Sequence, residues 1–170
     1  MLYLHGFLSS PQSLKAQQTL AYCSKQGLGN RIVVPQMSHG PKATIAQLHR
    51  LIDEISPENL VLMGSSLGGY YASYLSEFYQ APAVLINPAV RPYELWESHL
   101  GENRNYYSDE VHTVTEEHIE ELRLIDVETL SRPENFRVFL QTGDETLDYR
   151  QAVKKFTANQ CVVRENGSHS

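Results

Sequence analysis

The chain has 170 residues, 41% of them hydrophobic, with 14 Lys plus Arg against 20 Asp plus Glu and a formal charge of −6. That is apolar material for a single domain, 1–170, around one core, and it carries no basic stripe of the kind nucleic-acid binding uses. No apolar run reaches the ~18 residues of a membrane span, and His5-Gly6 interrupts the N-terminal apolar stretch before it could be a signal peptide; no nucleic-acid or membrane partner and a cytoplasmic location are expected.

Short apolar runs at 2–4, 31–34, 60–63, 83–86, 138–141 and 162–165 read as strands. Between them, helical patterns are expected at about 11–26, 44–55, 67–78 and 149–158. Ser10-Pro11 resembles a cap followed by proline at the first helical position, and Gly27 and Gly29 suit the end of that first helix. Strands alternating with helices, the strands almost continuously apolar, indicate an α/β protein with a parallel sheet covered on both faces. One interval breaks the rhythm. Residues 88–136 are too many for a simple crossover and contain Tyr93, Trp96, Tyr106, Tyr107 and a predicted helix at 116–124 that Thr115 could cap. This insert is expected to lie over the active site as part of the same domain. Its acidic cluster, Glu116, Glu117, Glu120 and Glu121, reads as a solvated helix face. Cys23 and Cys161 form no Cys-x-x-Cys pair and are expected to be free, Cys161 packing just before a strand.

The stretch Gly64-Ser65-Ser66-Leu67-Gly68 carries the chemistry. It follows a buried-strand pattern and precedes a helical one, which is the order of a nucleophile elbow in a serine hydrolase, with Ser66 as nucleophile. Strand and helix approach so closely there that the positions two before and two after the serine can hardly carry a side chain, a need Gly64 and Gly68 meet. A serine needs a base and a carboxylate to orient it, and on this fold they follow it in the order acid, then histidine. His5, His39, His49, His99, His112 and His118 precede the acid candidates, leaving His169 as the base. Among Asp144, Glu145 and Asp148, Asp144 lies nearest the C-terminal end of its strand, where such sheets place their ligands. Asp148 suits capping of the next helix and Glu145 is expected to face solvent. The oxyanion needs two N–H donors: Leu67, directly after the nucleophile, and Phe7, in the glycine-containing loop after the first strand. His5 is expected to brace that loop, Ser65 to bond locally, and the tyrosines at 70, 71 and 74 to be core. Tyr93 and Trp96 are candidates for the acyl pocket, with packing of the insert as the other reading. The histidine spacings match no tight ligand motif, so no metal site is expected, and Gly-Ser-Ser-Leu-Gly-Gly lacks the ending of a phosphate loop.

Leu2-Tyr3-Leu4-His5-Gly6-Phe7, Gly64-Ser65-Ser66-Leu67-Gly68-Gly69-Tyr70-Tyr71-Ala72, Asn87-Pro88-Ala89-Val90-Arg91-Pro92 and the run from Gln141 to Ala152 together resemble the YqiA-like small bacterial esterases. The resemblance implies an α/β-hydrolase fold, three-layer, with a mostly parallel six-stranded sheet and a helical cap insert. It also implies a carboxylic-ester or acyl-thioester hydrolase with Ser66, Asp144 and His169 as its triad. Members of that family continue past the histidine into a final helix, whereas this sequence stops at Ser170, so a shortened form is expected. The reading is therefore a cofactor-free esterase acting on a small-molecule ester, its oligomeric state open. Acyl-CoA thioester hydrolysis or acyl transfer by the same triad is the nearest rival, and a non-catalytic binding protein on the same fold is the second.

Overall fold

The computed structural model describes residues 1–157 and 160–169; Ala158, at the end of the helix expected over 149–158, and Ser170 lie outside the described residues. In chain order the strands are β1 (Leu2–Leu4), β2 (Leu62–Ser65), β3 (Ala83–Ile86), β4 (Gly101–Arg104), β5 (Val111–Val114), β6 (Phe136–Gln141) and β7 (Cys161–Arg164). The helices are α1 (Leu14–Lys25), α2 (Pro41–Ile55), α3 (Leu67–Tyr79), α4 (Pro92–Trp96), α5 (Glu116–Leu124) and α6 (Tyr149–Phe156). The main sheet runs β1-β2-β3-β6-β7, every neighbouring pair parallel, with α3 crossing from β2 to β3 and α6 from β6 to β7.

Alternation along the strands sorts the side chains onto two faces. Leu2 and Leu4 of β1 join Leu48 and Ile52 of α2, Leu75 of α3 and Phe156 of α6 in the main core. Tyr3, between them, enters a second core with Ala16 and Cys23 of α1 and with Ile32. Helices thus lie on both faces, as the apolar strands require. Coverage is incomplete over the last two strands: Phe139 of β6 and its lateral partner Val162 of β7 are 40% and 41% exposed, which corrects the expectation of a sheet covered throughout.

The expected sixth parallel strand, 31–34, does not form. Gly29–Arg31 winds into a 3₁₀ turn, and only Val33 reaches the sheet, through one parallel bridge to Leu2. Pro35 follows at once and has no N–H to continue a ladder. The sheet therefore has five strands. The start of the first helix also moves. Ser10 Oγ accepts from the Gln12 N–H at 3.1 Å and the Ser10 carbonyl accepts from the Ser13 N–H, so Ser10-Pro11 makes a turn and α1 begins after Ser13. α2 begins earlier than expected, with Pro41 at its first position behind Gly40 at φ +82°. Cys161 opens β7 instead of preceding it, and both cysteines are free.

The insert, expected to be helical, is mixed. It holds α4, a 3₁₀ turn at Glu97–His99, an antiparallel hairpin pairing β4 with β5, and α5. Thr115 caps α5 as expected, and His118 completes the box: Thr115 Oγ1 accepts from the His118 N–H, and His118 Nδ1 accepts from the Thr115 N–H. Glu116, Glu117 and Glu120 are exposed, whereas Glu121 turns inward and its Oε2 accepts from the Lys42 N–H in the first turn of α2. Among the described residues no helix is long and apolar enough to cross a membrane.

Candidate active site

Ser66 sits between β2 and α3 at φ +55°, ψ −122°, a conformation L-residues avoid. The surroundings hold it there. The Ser66 N–H donates to the Ile86 carbonyl at 3.1 Å, and the Ser66 carbonyl accepts from the N–H groups of Gly69 and Ala89. A Cβ on Gly64 would lie 2.2 Å from the Gly68 carbonyl oxygen, and one on Gly68 would lie 2.1 Å from that of Leu4; both are far inside contact distance, so the glycines that flank the serine are dictated by backbone on backbone. A Cβ on Gly6 would already lie 3.3 Å from that of Ser66, which puts the Gly6–Phe7 segment directly beside the hydroxyl. Leu67, whose N–H is the other expected donor, is the first residue of α3.

His5 braces this loop. It is 3% exposed, its Nε2 accepts from the Met37 N–H at 3.3 Å, and Nδ1 lies 3.0 Å from the Gly6 carbonyl. Those partners fit the tautomer that donates from Nδ1. Burial pushes the pKa of this imidazole down, against the smaller opposing effect of its Gly6 bond.

Past the C-terminal ends of β6 and β7, His169 Nδ1 and Asp144 Oδ2 are 2.7 Å apart. The Asp144 side chain is 2% exposed, and its Oδ1 accepts from the N–H groups of Thr146 and Leu147 at 2.9 and 2.7 Å. The carboxylate is thus fixed from behind by the turn after β6, and Nε2 is the ring nitrogen left to exchange a proton. Ser66 and His169 both line one cavity of about 370 Å³, with Tyr3, Lys15, His99, Tyr106 and Tyr107 among its walls. Asp148 is the cap of α6, accepting from the Arg150 N–H.

Three residues of this site are not apparent from sequence. The Lys15 ammonium donates to the His169 carbonyl oxygen. Glu145, exposed as expected, accepts from the His169 N–H at 3.0 Å, a bond that holds its carboxyl below the usual range. Asn87, 3% exposed, accepts from the Gln141 N–H through Oδ1 and donates from Nδ2 to the Ser168 carbonyl. The histidine is therefore clasped on both sides of its own peptide unit and again one residue earlier. Burial pushes the Lys15 pKa down, with Asp144 and Glu145 opposing. An asparagine directly after a strand and before a proline is the one local signal that could have flagged Asn87.

The two acyl-pocket candidates are not at the Ser66 cavity. Trp96 lies in the core, its ring 4.7 Å from that of Phe7, and lines a neighbouring cavity of about 40 Å³ with Leu67 and Tyr71. Tyr93 is buried and held within the insert, donating its hydroxyl to Asp126 Oδ2 at 2.7 Å with Arg123 over its ring. The packing reading holds for Tyr93. The residues of the insert that reach the cavity are His99, Tyr106 and Tyr107. Away from it, His39, Glu110 and His112 bring their ligand atoms within 4.8 Å of one another, a grouping their spacing in sequence conceals.

A family model described as "Uncharacterised protein family (UPF0227)" matches residues 1–170. Among solved structures, a putative hydrolase from Agrobacterium vitis is similar over 99% of this chain and 79% of its own, with a TM-score of 0.78 and 21% identity. Alpha/beta hydrolase domain-containing protein 10 from mouse matches 99% of this chain and 80% of its own, with a TM-score of 0.73 and 15% identity. Est1E from Butyrivibrio proteoclasticus matches 99% and 78%, with a TM-score of 0.68 and 13% identity. At such identities the likeness is one of fold: this is an α/β-hydrolase fold.

Proposed function

The chain belongs to the UPF0227, YqiA-like family, and from that premise we propose that it is a serine hydrolase that cleaves small carboxylic esters without a cofactor. The reading is supported most by one observation: an imidazole bonded to a buried, fully satisfied carboxylate shares a cavity with a serine held at a strained elbow. In this reading Ser66 Oγ attacks the ester carbonyl while His169 Nε2 takes its proton, and Asp144 keeps the ring in the productive tautomer. The Phe7 and Leu67 N–H groups hold the tetrahedral oxyanion. His169 then returns the proton to the departing alcohol, leaving an acyl-Ser66 ester, and the same base activates the water that releases the acid. The insert, 88–136, bounds the acyl group through Tyr106 and Tyr107 and acts as a cap within the same domain.

A fluorophosphonate probe tests this directly. It should label Ser66 in the wild type, identified by peptide mass, and leave Ser66→Ala unlabelled. In the same preparation p-nitrophenyl acetate turnover should fall by roughly 10³-fold or more in Ser66→Ala, since loss of such a nucleophile costs of order 10⁶. An unlabelled wild type that still binds ester analogues would make this a binding protein. Turnover of acyl-CoA thioesters far above that of oxygen esters would move the substrate class.

A further inference from the structure

We propose that His39, Glu110 and His112 form a binding site for a divalent cation of the zinc class, clamping the insert hairpin to the body of the fold. His39 stands in the bend just before α2, while Glu110 and His112 flank the start of β5. The latter two are two residues apart on extended chain, so their side chains leave the same side of the hairpin. Their donor atoms and that of His39 all lie within 4.8 Å of one another. Zinc bonds of about 2.0–2.1 Å at tetrahedral angles place donors roughly 3.4 Å apart, so donors already within 4.8 Å of one another need close by no more than about 1.4 Å. His39 and Glu110 are exposed and free to swing.

An independent observation points to a ligand. His112 Nε2 is buried and, among the described residues, makes no hydrogen bond. Buried ring nitrogens ordinarily have a partner, and a cation would supply one. The His39 and His112 rings are stacked, centroids 3.7 Å apart and planes 28° from parallel; a stacked pair holds its nitrogens side by side, and binding would splay the rings until two lone pairs converge. The donor chemistry fits: two neutral imidazoles and one carboxylate are a set zinc accepts, with solvent as fourth ligand. Both histidines line the 40 Å³ cavity, which has room for that water. The nearby His118 takes no part: its Nδ1 accepts from the Thr115 N–H, so the neutral ring carries its proton on Nε2 and has no lone pair there to offer.

The test is zinc binding by the whole chain after chelator treatment and desalting. Calorimetry should find one Zn²⁺ per chain, zinc should raise the thermal midpoint, and Co²⁺ should give the visible spectrum of a four-coordinate ion. His39→Ala and Glu110→Gln should each weaken zinc binding at least tenfold and remove the shift in midpoint. His39 is exposed, so that variant tests the site even if His112→Ala fails to fold. Zinc that does not bind the wild type, or that binds His39→Ala/Glu110→Gln with undiminished affinity, overturns the proposal.

Discussion

The strain at Ser66 can be measured. A non-glycine residue in that backbone region costs on the order of 1–3 kcal/mol, and the fold sustains it through the Ile86 and Ala89 backbone bonds. Glycine would remove the strain at a cost of about 0.5–1 kcal/mol in backbone entropy. Ser66→Gly should therefore be more stable than Ser66→Ala by about 1 kcal/mol, read from urea midpoints, with both inactive. Equal midpoints would mean that the elbow is relaxed. This part of the site is legible in sequence because its causes are local: Gly64 and Gly68 stand where a Cβ would strike backbone, so the pattern around Ser66 records a collision that any side chain would suffer. Tyr93 shows the limit of the same reading. An aromatic in the insert looks the same in sequence whether it faces substrate or, as here, gives its hydroxyl to Asp126.

Among elements, the position of His169 depends on contacts that no local pattern announces. Lys15 lies 154 residues before the carbonyl it binds, and Glu145 reads as a solvated carboxylate until the turn after β6 is seen to carry it to the His169 N–H. Lys15→Met should leave the fold intact and lower kcat for p-nitrophenyl esters more than it raises KM, because the bond it loses is the one to the His169 carbonyl that steadies the base, while its side chain is only one of several walls of the cavity; Lys15→Arg should restore part of the loss. Steady-state kinetics on the three proteins, with circular dichroism as the control for folding, would decide it. Unchanged kcat in Lys15→Met would make the contact incidental. The insert gives a parallel case. Exposed Tyr107 lines the cavity, so Tyr107→Ala should shift the ratio of kcat/KM toward longer acyl chains, measured on a series from acetate to octanoate esters. The β4–β5 hairpin that carries it into place escapes a sequence reading because its first strand, Gly-Glu-Asn-Arg, has neither β-branched residues nor a buried face to produce alternation, which leaves the β-branched Val111–Val114 without a recognisable partner.

For the molecule as a whole, the order of strands and helices follows from apolar runs alternating with amphipathic stretches, and five of the six expected strands form within a residue or two of their places. The sixth fails at Pro35, where one missing N–H outweighs a favourable run. What joins the halves is less visible: Asn87 ties β3, β6 and the segment bearing His169, and His5 ties β1 to the chain before α2. His5 also makes stability depend on pH. Its folded pKa lies below the unfolded value of about 6.5, chiefly because burial disfavours the imidazolium, and protonating Nε2 would abolish its bond from Met37. Between the two values the unfolded chain holds more protons than the folded one, so stability rises with pH across that window. The contribution is complete above about pH 6.5 and is lost as the pH falls below it. His5→Gln should be less stable near neutrality by about 1–3 kcal/mol, the cost of leaving a buried N–H unpaired. It should also lose less further stability than the wild type between pH 7.5 and about pH 5.5, a range that spans the free imidazole value. Urea unfolding of both proteins at the two pH values tests this, and parallel losses would remove His5 as the source of the acid sensitivity.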